Sequence, residues 1–329
     1  SIGILCPVLW LARWSLTELF GLNPFAFHMA SVLLHAGVAI LLFAFLLRLR
    51  PQLPICCSRT VYRRVAALCC LVWGAHPMRV EAVSWATQLS YPLASAFLFI
   101  ALLFFHQAET LTSKTRRGEG LRRATLLLCA LLFYAFSLLT YPIALGCCVW
   151  FLLPSLLSRF TSPGLTANLT FISFCACGLR TIRPRHLLPP LVAIIIFVPG
   201  FLSVRDDTKP DFYADRFQTE FNVAETLPAA NAAFAHYFVS AFQPHGALPY
   251  PEDAREFDAR LIAISCLFSL GLVLTLVRSG AVRVGLLAYA ASTVPFLGLE
   301  QTSTYLADRY SYLSSIPVIL LAVAALATL

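Results

Sequence analysis

His76-Pro-Met-Arg-Val-Glu-Ala-Val-Ser-Trp-Ala-Thr-Gln-Leu-Ser-Tyr91 sets charge, an amide and two aromatic rings between the apolar runs Val65 to Ala75 and Pro92 to Phe105. With Pro77 at the first helical position, where its missing N–H costs nothing, one helix is expected from there to about His106. Glu81, Ser84, Trp85, Gln88 and Tyr91 then share a face by helical spacing. A carboxylate and an amide at a bilayer boundary are expensive unless they meet a wet cavity or a partner, so this face is a functional candidate. Pro92 is expected to kink the helix and free the Gln88 carbonyl. On the plainer alternative, Arg79 and Glu81 only mark the membrane boundary, with Trp85 and Tyr91 as interfacial anchors.

The 329 residues are 59% hydrophobic and 12% charged, far below the roughly one-quarter charge of a soluble domain, which reads as an all-α polytopic membrane protein. Net charge is +8, but the basic residues fall in short clusters between apolar runs rather than on one stripe, so no nucleic-acid partner is expected. Cys69, Cys70, Cys147, Cys148 and Cys266 lie in apolar runs, where a thiol acts as a small hydrophobe, and no metal site is expected from the cysteine spacing. The chain begins at Ser1 and stops at Leu329 within an apolar run, and is read as a piece of a longer protein, one transmembrane domain over 1–329 incomplete at both ends.

Nine spans are expected. Residues 1–22, broken by Arg13 and Glu18, read as an interfacial helix ended by Gly21. The spans follow as Ala26 to Leu47, Val65 to Ala75, Pro92 to Phe105, Ala124 to Thr140, Pro142 to Leu157, Leu187 to Val204, Leu261 to Val277, Val284 to Leu297, and a last one from Leu313. The fourth and fifth are separated at Tyr141-Pro142, because a residue before proline is biased away from helix. Residues 160–186, with the sequon at Asn168, read as a cytoplasmic loop with an interfacial piece. Residues 205–260 form a large lumenal or extracellular loop, within which Pro228 to Phe242 has helical apolar spacing.

This threading puts Arg48, Arg50, Arg59, Arg63, Arg64, Lys114, Arg116, Arg117, Arg122, Arg123, Arg159, Arg180, Arg183, Arg185, Arg278 and Arg283 on one side, which is the cytoplasmic side by the positive-inside rule. Of the acids only Glu109 and Glu119 join them. His76 to Tyr91, Tyr141, the acidic loop and Glu300 to Tyr312 converge on the opposite face.

A second cluster, Ala307-Asp-Arg-Tyr-Ser-Tyr-Leu313, opens the last span, and on a helix Tyr305, Asp308, Arg309 and Tyr312 would meet one ligand. Arg309 is the candidate for a phosphate, which a guanidinium fork binds in bidentate fashion, and Asp308 could orient it. The bland reading is a local Asp-Arg pair with a tyrosine belt. Asp206-Asp207 reads more readily as a solvated pair than as a base or metal site, and His236 and His245 lack ligand spacing.

The two clusters, with Gly21-Leu-Asn-Pro-Phe25 and Leu33-Leu-His35 before them, Leu139-Thr-Tyr-Pro142 between and Pro295-Phe-Leu-Gly-Leu299 leading into the last, occur in order across nearly the whole chain. In this the chain resembles the membrane domain of the transmembrane and tetratricopeptide-repeat-containing O-mannosyltransferases and their bacterial relatives, within the GT-C glycosyltransferase superfamily. The resemblance implies a GT-C-like helical bundle in the endoplasmic reticulum membrane of a eukaryote or the plasma membrane of a bacterium. It implies a dolichyl or undecaprenyl phosphate sugar as donor, with mannose or a similar sugar passed to protein hydroxyls on the lumenal face and no resident cofactor or metal. On it, Arg309, Asp308 and Tyr312 hold the donor phosphate, and Arg79, Trp85, Gln88 and Tyr91 position substrate. Glu81 and His76 support a catalytic acid in a first loop that would precede Ser1. The chain departs from its relatives at Leu5-Cys-Pro7, at Leu89-Ser-Tyr91 and at Tyr141, where they carry charge. The competing expectation is a non-catalytic membrane scaffold or a lipid or solute transporter with the same spans.

Overall fold

The computed structural model describes residues 6–52, 57–111, 119–160, 182–204, 223–242, 280–294 and 307–326. The first three helices follow from local signals. Helix α1 (Pro7–Phe20) has proline in its first turn and ends where Gly21 takes φ 65, the left-handed region that spares only a residue without Cβ. Helix α2 (Pro24–Leu49) starts at Asn23, whose Oδ1 accepts the Phe25 N–H at 3.0 Å, with Pro24 just inside. Helix α3 (Arg59–Gly74) is capped by Ser58.

The following chain corrects the expectation of one helix from Pro77 to His106. A 3-10 turn Pro77–Arg79 leads into a single turn, α4 (Val80–Ser84). Trp85 is extended at ψ 119, a second 3-10 turn covers Ala86–Gln88, and α5 (Ser90–Thr110) then begins. Pro92 therefore sits in the first turn of α5, where its missing N–H breaks no bond and causes no kink. Glu81, Ser84, Trp85, Gln88 and Tyr91 are consequently split over three pieces rather than sharing one helical face.

Helix α6 (Glu119–Thr140) returns antiparallel to α5. Ser137 Oγ donates to the Ala94 carbonyl at 2.7 Å, and Phe97 and Phe104 pack on Phe133. It stops before extended Tyr141, as the proline at 142 requires. The expected span Pro142 to Leu157 is instead two 3-10 stretches, Pro142–Ala144 and Gly146–Leu152, followed by α7 (Leu153–Phe160). A 3-10 turn Pro184–Leu187 opens α8 (Leu188–Val204), and α9 (Val223–Ser240), α10 (Gly280–Thr293) and α11 (Ser311–Leu326) complete the described elements.

The protein is all-α, and among the described residues three helices are long and apolar enough to cross a membrane: α2, the stretch Ala86–Thr110 that contains α5, and α6. Nine spans are not found among the described residues. Helices α3, α8, α10 and α11 have 14 to 17 residues, about 21–26 Å at 1.5 Å per residue, short of a core of about 30 Å. Residues 261–277 lie outside the described residues, as do the loops at 161–181 and 205–222.

Helix α11 runs through the middle of the packing, with Tyr312 and Leu313 fully buried. Its neighbours approach closely at two glycines. A Cβ on Gly285 would lie 2.5 Å from Leu321 Cδ2, and one on Gly146 would run into the Ala291 carbonyl oxygen. Small residues of this kind let apolar helices meet backbone to backbone where no hydrophobic drive exists between them. Leu33 and Ile40 of α2, Leu128 of α6 and Ile194 of α8 point outward and remain exposed, as a lipid-facing surface would be.

Candidate functional site

Three segments far apart in sequence meet at one end of this bundle: residues 73–91, Tyr141 and residues 307–315. At the outer layer Glu81 forms an ion pair with Arg309 through Oε1 and Nη1, and its Oε2 accepts the Arg309 backbone N–H at 3.0 Å. One carboxylate thus neutralises the guanidinium and caps the 3-10 turn Asp308–Tyr310 that precedes α11. The Arg309 guanidinium also lies over the rings of Tyr310 at 5.0 Å and Trp85 at 5.8 Å. Trp85 leaves half its surface exposed, at 52%, because the extended backbone there carries it clear of the helices.

Beneath this layer is Arg79, only 3% exposed. Its Nη2 donates to Ser311 Oγ at 2.7 Å, and Ser311 in turn donates to the Asp308 carbonyl at 2.7 Å. The guanidinium lies 5.6 Å from the Trp73 ring centre and 5.5 Å from that of Tyr312. Among the described residues its Nε and Nη1 have no hydrogen-bond partner. Burial pushes the Arg79 pKa down to about 10, partly offset by Tyr312 and Asp308, so the cation persists at neutral pH.

The innermost layer is neutral. His35 Nε2 faces the Gly74 carbonyl at 2.9 Å, and a carbonyl can only accept, so Nε2 carries the proton. Nδ1 then accepts the Tyr312 hydroxyl at 2.7 Å. Trp73 Nε1 donates to Ser315 Oγ at 3.0 Å, tying α3 to α11. Tyr91, also fully buried, packs 5.1 Å from Tyr141 and 6.4 Å from Tyr312 between ring centres.

The residues expected to act together are therefore gathered, with altered parts. His76 caps the turn Pro77–Arg79 by accepting the Met78 N–H on Nδ1 at 3.3 Å, and burial, helped by Arg79, lowers its pKa. Glu81, rather than Asp308, holds Arg309. Asp308 is partly exposed, and its pKa is raised by burial and by Glu81, with Arg79 pulling the other way. Gln88 is partly buried in the turn Ala86–Gln88. Tyr312 faces His35 and Arg79, and since residues 308–310 form a 3-10 turn, the expected helical register of Asp308 with Tyr312 does not hold. His236 lies on α9, while Tyr305, Asp206, Asp207 and His245 lie outside the described residues.

Sequence reasoning missed His35, Trp73, Ser311 and Ser315. Of these His35 carried a signal, a lone ionisable ring in the middle of an apolar span. At the other end of the bundle Glu109 of α5 accepts Arg185 Nη2 at 2.7 Å and meets His186 at 3.4 Å, so the clusters at the two ends are separate.

A small apolar cavity of about 10 Å³ lies deeper in the bundle, lined by Leu42, Phe45, Leu46 and Leu49 of α2, Trp150, Leu153, and Ile316, Pro317 and Leu320 of α11. Comparison of the chain with known families, curated proteins and solved structures finds no match in any of the three.

Proposed function

We propose that this chain is the membrane domain of a glycosyltransferase that takes a sugar, mannose or a similar one, from a polyprenyl phosphate and passes it to protein hydroxyls on the lumenal or extracellular face. The observation that carries the reading is the junction of Glu81, Arg309 and exposed Trp85, a charged and aromatic wall built from segments 228 residues apart. A membrane scaffold has no need to bring an ion pair and a solvent-facing indole together above a buried cation, whereas a sugar phosphate requires an aromatic platform, hydrogen-bonding groups and positive charge.

In the transfer the acceptor hydroxyl oxygen forms a bond to the sugar's anomeric carbon, the bond from that carbon to the phosphate oxygen breaks, and the hydroxyl proton passes to a base. Both Glu81 oxygens are engaged by Arg309, so on this reading Glu81 holds the wall and is not the base. On this reading the protein is integral to the endoplasmic reticulum membrane in a eukaryote or to the plasma membrane in a bacterium. The full-length protein, reconstituted in nanodiscs with tritiated dolichyl phosphate mannose and serine- or threonine-bearing acceptor peptides, should label the peptides. Donor binding without any transfer would leave a scaffold and overturn the enzyme reading.

A further inference from the structure

We propose that Arg79 is an interior oxyanion subsite for a phosphate group. This rests on the polyprenyl phosphate reading of the same wall but assigns the charge differently: Arg309, the cation singled out by the sequence, is already neutralised by Glu81. Arg79 is not. It is 3% exposed, makes one hydrogen bond, to a neutral hydroxyl, and leaves Nε and Nη1 without partners among the described residues.

An ion buried with two idle N–H groups is costly, and the faces of Trp73 and Tyr312 compensate for only part of it. Each idle N–H can donate one charge-assisted bond to a phosphate oxygen. The geometry thus presents a buried cation with unused donors between aromatic walls. Asp308 interacts electrostatically with Arg79 yet forms no ion pair with it, so it tempers the cation without using its donors. The neighbouring titratable groups are His76, His35 and Tyr312, with Glu81 engaged by Arg309.

The experiment uses the full-length protein in detergent, with thermal stability followed against dodecyl phosphate and, separately, inorganic phosphate. Dodecyl phosphate should raise the melting temperature of the wild type in a saturable way. Arg79→Gln should lose that response, and Arg309→Gln should keep it. Asp308→Asn, which leaves the Arg79 donors intact and removes a competing charge, should bind about fivefold more tightly. A response to dodecyl phosphate alone identifies a lipid phosphate. An equal response to inorganic phosphate identifies a site for the free anion, and both support the subsite. No response in the wild type, an unchanged response in folded Arg79→Gln, or weaker binding by Asp308→Asn would overturn it. Should Arg79→Gln fail to fold, the Asp308→Asn comparison decides alone. Sugar transfer is not read in this experiment, so its outcome is separate from that of the enzyme reading.

Discussion

Removing Glu81 tests the junction most sharply. Glu81→Ala strips Arg309 of its counter-ion and leaves the Arg309 N–H at the start of the Asp308–Tyr310 turn without its acceptor. The two side chains are 11% and 12% exposed, close to a buried pair, for which loss of one partner costs about 3–5 kcal/mol. The remaining exposure and the rings of Trp85 and Tyr310 lower that, so about 2–4 kcal/mol is expected. Glu81→Gln keeps an acceptor for the backbone N–H and should cost about half as much, because a neutral bond is worth roughly half a charge-assisted one. Unfolding in mixed dodecylmaltoside and SDS micelles, run as a double-mutant cycle with Arg309→Gln, should return a coupling of about 1.5–3 kcal/mol. Single losses that simply add, within about 0.5 kcal/mol, would refute the pairing.

Two further perturbations address the packing and the charge beneath. Gly146→Ala drives a Cβ into the Ala291 carbonyl and must push the Gly146–Leu152 stretch off α10, costing about 3 kcal/mol or more, read as loss of monodisperse protein on heating; a change within about 0.5 kcal/mol would refute the close contact. Asp308 has a folded pKa above its ordinary 3.8, so between those two values the folded state holds the proton more tightly and stability falls as pH rises. Asp308→Asn should therefore be more stable than wild type at pH 7, with the gap closing as the pH falls toward 3.8, and a gap that widens on acidification would contradict the assignment.

What was legible in the sequence was local. Gly21, Asn23-Pro24 and Tyr141-Pro142 each mark an element boundary through backbone chemistry that needs no partner, and the structure puts helix ends and starts there. The apolar runs showed an all-α protein with membrane helices, yet they could not count the spans. The run from Pro142 to Leu157 is apolar like α6, yet up to Leu152 it lies in 3-10 stretches, where Gly146 packs on Ala291 and Trp150 Nε1 donates to the Ala288 carbonyl. The break at Trp85 was hidden for a similar reason. Helical spacing fits the segment on both sides, and the extension is fixed by contacts outside it, with Glu81 pulled to Arg309 and the Thr87 carbonyl held by Arg13 of α1. The site divides in the same way. Which polar residues would gather was visible from their intramembrane cost, but that Glu81 engages Arg309 and leaves Arg79 as the available cation depends on contacts across more than 220 residues, which no periodicity records.

Photolabelling tests the central claim most directly. The full-length protein in nanodiscs would be irradiated with a farnesyl phosphate carrying a diazirine in its tail, and the adducts mapped by peptide mass spectrometry. The account predicts adducts beside the wall of Arg79 and Arg309, on residues 73–91 and 307–315, removed by excess dodecyl phosphate. Adducts confined to outward-facing residues such as Leu33 and Ile40, and indifferent to the competitor, would contradict it.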